Sequence, residues 1–138
     1  MKRKPNIWST APAHEDLTAA RDYLSLVLAD NELSGLIAAL GDAPTIKHDA
    51  KDLLRASQTH LLEEDNPHVA ENLKRIKKGK KLSPVLLIRG DAPKGVTLTI
   101  ADGHHRICAS WYWNENEPVA CRLVEFTTYH RTKRVKNI

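Results

Sequence analysis

The sequence predicts an α+β fold, a small mixed sheet packed with helices and preceded by an N-terminal helical layer. Three observations carry this. Apolar residues recur at helical spacing within the first 44 residues and again after Pro67. Two β-type runs flank the turn-forming "GDAPKG", and a further β run, "VACRLVEF", follows the last helical segment. A length of 138 residues suits one domain with its own core and is short for two.

Residues 1–13 are polar, contain Pro5 and Pro12, and are expected to wrap or dangle. "HEDLTAARDYLSLVLAD" reads as a helix, with Leu17, Ala20, Leu24 and Val27 on one face and acids in the first turn, where the helix dipole favours them. "NELSGLIAALGDAP" reads as a second helix, with Asn31 as N-cap, Gly41 at the stop and Pro44 beyond. These helices, within residues 1–44, are expected to cover the rest and to carry no chemistry.

"TIKHDAKDLLRASQTHLL" accommodates a short strand at Thr45–His48 and a turn of helix around Asp52–Arg55. In the next segment Asn66 caps a helix, Pro67 suits its first position, Val69, Leu73 and Ile76 form its buried stripe, and Gly79 closes it. Val85–Arg89 and Val96–Ala101 then form a hairpin. Residues 104–113 form a helix with Ile107, Cys108, Trp111 and Tyr112 inward and Trp113 at an edge. "NENEP" is a loop before the last strand.

Composition narrows the class. Aromatic residues make up 5% of the chain, so the core must be aliphatic. No apolar stretch approaches a membrane span and the N-terminus has no apolar leader, so a cytoplasmic location is expected. Cys108 and Cys121, flanked by apolar residues, read as buried free thiols. The formal charge of +4 belongs to the tail "TTYHRTKRVKNI", residues 127–138, with Arg131, Lys133, Arg134 and Lys136. Setting those four aside leaves 17 of the 21 basic residues against 17 acidic ones. DNA contact is therefore expected, if at all, through that tail and the Lys74–Lys81 run "KRIKKGKK".

The chemistry concentrates in "ADGHHR". A helix N-terminus presents backbone N–H groups and partial positive charge, which together attract anions. Gly103 would let the backbone approach a ligand, and Asp102 would cap the helix. Arg106 would grip two phosphate or carboxylate oxygens at once. His104 and His105 would donate hydrogen bonds or shuttle protons. Adjacent histidines diverge at a helix start and no His-x-x-x-His spacing occurs, so no protein-held metal is expected.

"LSPVLLIRGD…LTIADGHHRICASWYW…EPVACRLVE" resembles the ParB/sulfiredoxin-like domain in element order and in its Gly-x-x-Arg turn. The resemblance spans residues 45–126. It implies that Gly103, His104, His105 and Arg106 hold the phosphates of a bound nucleotide, with help from Arg55, Ser57 and Gln58 of "LLRASQTHLL", and from Asn66 and His68. His104 stands where sulfiredoxins have their reactive cysteine, which argues against sulfinic-acid reduction. The turn lacks the glutamate and second arginine usual in partition proteins, and little chain follows, which argues against centromere binding.

Two function classes follow. One is a nucleotide-dependent phosphotransferase or phosphohydrolase, with Asp102, His104 or His105 as acid or base and a Mg²⁺-bearing nucleoside triphosphate as cofactor. Glu63, Glu64 and Asp65 are candidate acids for that metal. The other is a non-catalytic nucleotide-sensing or DNA-binding module, or a nuclease-like accessory protein, using the same turn and the basic patches. The expected partner in either is a nucleotide or another phosphate-bearing small molecule, with no membrane.

Overall fold

The computed structural model describes residues 6–126. In chain order the elements are α1 (His14–Leu24), α2 (Asp30–Asp42), β1 (Ile46–Asp49), α3 (Ala50–Ser57), α4 (Pro67–Lys77), β2 (Val85–Ile88), β3 (Thr99–Asp102), α5 (His104–Trp113) and β4 (Pro118–Val124), with a 3₁₀ turn at Ala92–Lys94. The fold class is α+β. The four strands form one sheet in the order β1-β4-β2-β3. β1–β4 and β2–β3 are antiparallel, while β2 and β4 run parallel, with Val85 opposite Cys121.

Alternation along the central strands gives the sheet two apolar faces. Val85 and Leu87 of β2, with Val119 and Cys121 of β4, pack with α3, α4 and α5. Leu86 and Ile88, with Ala101 and Val124, pack with Ala20 and Leu24 of α1 and Leu33, Leu36 and Leu40 of α2. Every residue of β2 is buried because helices cover it on both sides. The N-terminal helices are thus one outer layer of a three-layer arrangement. No described helix is long and apolar enough to cross a membrane.

Several local expectations hold. Asn66 Oδ1 accepts from the His68 and Val69 backbone N–H groups, capping α4, and Gly79 closes it with φ of +78°. The α5 bounds are those expected, and Trp113 lies at an edge. Both cysteines are buried free thiols, and burial pushes Cys121 up to about 11.

Others need correction. Of the two readings of residues 1–13, wrapping holds at Ile7 and Trp8: Trp8 forms a parallel bridge to Leu82, and both side chains are buried in the core cluster that includes Val69 of α4 and Ile107 of α5. α1 stops at Leu24, which leaves Val27 exposed in the connection, and its buried positions are Asp16, Ala20 and Leu24. α2 begins at Asp30 with Ala29 in the N-cap position, so Asn31 lies inside the first turn; Gly41 lies inside the last turn. The basic tail expected at 127–138 lies outside the described residues.

Candidate functional site

The α5 N-terminus is set by what precedes it. β3 ends at Asp102, and Gly103 turns the chain with φ of +117°, a conformation that favours glycine. A Cβ there would stand 2.5 Å from Val85 Cγ1 and 3.0 Å from an Arg106 terminal nitrogen. The bare side of Gly103 therefore faces β2 and Arg106. Its absent side chain admits packing neighbours, and the ligand approach expected from sequence is corrected accordingly.

One helical turn on, Arg106 reaches back. Its Nη2 donates to Asp102 Oδ2 and to the Pro84 carbonyl, both at 3.2 Å, and its Nη1 donates to Asp16 Oδ1 at 3.4 Å. The three side chains are 13%, 21% and 10% exposed, in the order Arg106, Asp102, Asp16, so the cluster is largely screened from water. Asp16 Oδ2 also accepts from the Ala13 backbone N–H at 3.1 Å and from the Ser83 hydroxyl.

This arrangement corrects two expectations. Asp102 makes no helix cap, because Gly103 occupies the N-cap position and the carboxylate is drawn to Arg106 instead. Arg106 is not a free fork awaiting an anion, because one guanidinium already serves two carboxylates. Burial pushes the Asp102 carboxyl above its ordinary range; Arg106 opposes the rise and Asp16 adds to it.

The histidines divide. His104 Nε2 lies 2.8 Å from the His60 carbonyl, which ties the α5 start to the loop before α4. His105 lies against His68 with ring centroids 4.7 Å apart and ring planes tilted by 50°. Burial, then His68, His104 and Arg106, lower the pKa of His105, which favours a neutral imidazole near pH 7. Thus Asp102, Gly103, His104, His105, Arg106 and His68 come together, as the sequence suggests. Asn66 stands nearby as the α4 cap.

Arg55 and Ser57 do not join them. The Ser57 hydroxyl is spent within α3, donating to the Leu53 carbonyl at 2.7 Å. Arg55 is exposed, pairs with Asp52 at 3.6 Å, and lines a separate cleft of about 510 Å³ with Gln58 and Arg89.

A polar cleft of about 450 Å³ opens between the first turn of α1, one face of α4 and the segment 81–83. Arg106 and Asp16 lie at its inner wall, and His68, Arg75, Lys81 and Ser83 line it. Its volume falls within the ~300–1,000 Å³ usual for small-molecule sites. Arg75 and Lys81 form no ion pair among the described residues.

Asp16 and Ser83 are cleft residues that sequence reading missed, while Arg75 and Lys81 were read only as part of the basic Lys74–Lys81 run and not with the turn. Asp16 carried a signal, since it stands four and eight residues before the buried Ala20 and Leu24. His68, Glu71, Asn72 and Arg75 carried another, recurring at the spacing of one helix face. The chain matches no protein-family model, no curated protein and no solved structure.

Proposed function

We propose that the chain binds a phosphate-bearing small molecule in the cleft between α1 and α4, beside the "DGHHR" turn. The observation that carries this is the pair of cations, Arg75 and Lys81, that form no ion pair among the described residues and line one polar cleft with Arg106 and His68. Cations that have no carboxylate partner are available to a phosphate. The resemblance of residues 45–126 to ParB/sulfiredoxin-like domains supports the same reading, because those domains hold phosphates beside a Gly-x-x-Arg turn. In this chain the turn organises the cleft wall, and α4 supplies the grip.

Phosphoryl transfer or phosphate-ester hydrolysis is the chemistry such a site suits. His68 lines the cleft, and His105, which lies against it outside the lining and is neutral near pH 7, can take up a proton relayed through His68. Asp102 is the weaker base candidate, because its carboxylate already serves Arg106. Of carboxylates available to a Mg²⁺ arriving with a nucleoside triphosphate, Glu15 and Glu71 line the cleft, whereas Glu63, Glu64 and Asp65 occupy an exposed loop outside its lining. A cytoplasmic setting, where phosphorylated small molecules are made and consumed, fits this reading.

Thermal shift with inorganic phosphate, nucleotides and other phosphate esters, with and without Mg²⁺, tests it. Stabilisation that Arg75→Gln and Lys81→Gln both weaken is the expected result. A response to no phosphate compound would refute it. Steep loss of binding to a DNA duplex with rising salt, unaffected by a phosphate ester, would instead favour a DNA module acting through Lys74–Lys81.

A further inference from the structure

The α4 wall of the cleft has an order. His68, Glu71, Asn72 and Arg75 stand at i, i+3, i+4 and i+7, which is one stripe roughly 10 Å long on a straight helix. An imidazole stands at its start and a guanidinium at its end, with Lys81 following beyond the helix. Between them stand a carboxylate and an amide. Asn72 Nδ2 donates one of its two N–H groups to the His68 carbonyl at 2.9 Å, which leaves its Oδ1 as an acceptor and its second N–H as a donor. Glu71 forms no ion pair among the described residues. The middle of the stripe is therefore rich in hydrogen-bond acceptors, about one helical turn from the cationic end.

Charge sets a second constraint. Arg75, Lys81 and Arg106 line the cleft against Glu15, Asp16 and Glu71, so cations and carboxylates balance. A balanced cleft suits one phosphate, with its own charge held at the cationic end. A tri- or diphosphate would press further negative charge against the carboxylates. Among the described residues, the lining includes no Phe, Tyr or Trp on which a nucleobase could stack, and His68 is its one aromatic ring.

We propose that the ligand is the monophosphate ester of a small polyol, a sugar phosphate of triose to hexose size. Its phosphate is held by Arg75 and Lys81, and its hydroxyls donate to Glu71 and to Asn72 Oδ1. This rests on the phosphate reading above and narrows it to a substrate class. Hydroxyl groups satisfy acceptors that a second anion would repel, and their spacing along a short carbon chain spans a single helical turn.

Calorimetric titration of the full chain with glycerol 3-phosphate, ribose 5-phosphate, glucose 6-phosphate, ribose, inorganic phosphate, AMP and ATP with Mg²⁺ tests this. At least one sugar phosphate is expected to bind about tenfold or more tightly than inorganic phosphate, free ribose or either nucleotide. Glu71→Gln, at an exposed position, should weaken the sugar phosphate about tenfold and leave inorganic phosphate unweakened. Arg75→Gln should weaken both. Tighter binding of AMP or ATP, or a Glu71→Gln variant that binds the sugar phosphate unchanged, overturns the polyol assignment while the phosphate reading stands. Failure of every phosphate compound to bind overturns both.

Discussion

Replacing Arg106 with methionine tests the central electrostatic feature of the molecule. Methionine keeps much of the aliphatic bulk and removes the guanidinium, so Asp16 and Asp102 are left side by side, mostly out of water, with no cation between them. Breaking a buried ion pair by deleting one partner costs about 3–5 kcal/mol, and here two carboxylates lose the same partner. The Pro84 carbonyl also loses a donor. The upper half of that range is expected near pH 8, a large share of the ~5–15 kcal/mol typical of a native domain. It corresponds to a fall of about 10–20 °C in Tm.

The pH dependence has a definite sign. In the native protein Asp102 is raised above its ordinary value of 3.8, so its contribution to stability is most unfavourable above the folded pKa and is relieved as pH falls towards 3.8. Deleting Arg106 removes the group that opposes this rise. The variant therefore takes up its proton at higher pH and recovers more on acidification, and the loss relative to wild type shrinks between about pH 8 and pH 5. Urea unfolding followed by circular dichroism at several pH values measures it. A second substitution, Asp102→Asn with Arg106→Met, should restore about half the lost stability near pH 8 and flatten the pH dependence. A loss that stays constant within about 0.5 kcal/mol over the range, with no rescue by Asp102→Asn, would refute the reasoning.

Gly103→Ala combines a φ of +117° with a Cβ driven to 2.5 Å from Val85 Cγ1, and is expected to cost about 2–4 kcal/mol in the same unfolding assay. Adding Val85→Ala removes the Cγ1 contact but leaves Val85 Cβ at 2.7 Å and the backbone strain, so a full rescue would refute both as causes of the loss. His105 is held below its ordinary 6.5, so the folded protein binds fewer protons than the unfolded chain between the lowered value and 6.5; its stability contribution is complete above 6.5 and drains as pH falls through the lowered value. His105→Gln should therefore lessen the stability lost between about pH 7 and pH 5, and equal losses in both proteins would remove His105 as the cause.

Legibility in the sequence follows the range of the interaction. α4 and α5 were readable because their signals are local: an Asn-Pro start, an apolar stripe and a closing glycine in one, a Gly-led polar turn and an inward apolar face in the other. The hairpin was readable for the same reason, since "GDAPKG" turns β2 back onto β3, although β3 runs Thr99–Asp102 and Val96 makes only an isolated bridge to Asp91. The α2 start was misread because Asn31 is an excellent N-cap type, yet Asp30 already has helical geometry and Ala29 takes the N-cap position with no side-chain bond. Of the candidate site, the residues that one turn gathers were readable. Arg55 and Ser57 were not excluded by any local signal; their separation from the turn shows only in the structure, where Ser57 bonds the Leu53 carbonyl and Arg55 lines another cleft.

The contacts least visible in sequence are those that make the N-terminal helices part of the site. Asp16 and Arg106 lie 90 positions apart, and no spacing rule relates them. Arg122, buried in β4, reaches the other end of the same layer, donating to the Leu40 and Gly41 carbonyls at 3.3 and 2.6 Å and to Thr10 and Thr45. A guanidinium at the C-terminal end of α2 meets the negative end of the helix dipole, which suits a buried cation without a carboxylate. Two buried arginines thus fasten α1 and α2 to the sheet from opposite ends. Ser9, Ala13, Glu15 and Asp16 also form one wall of the cleft. Residues 45–126 alone would therefore present Arg106 and Asp102 to water and lack one wall of the cleft, so any ligand the cleft takes depends on residues 9–16 as well.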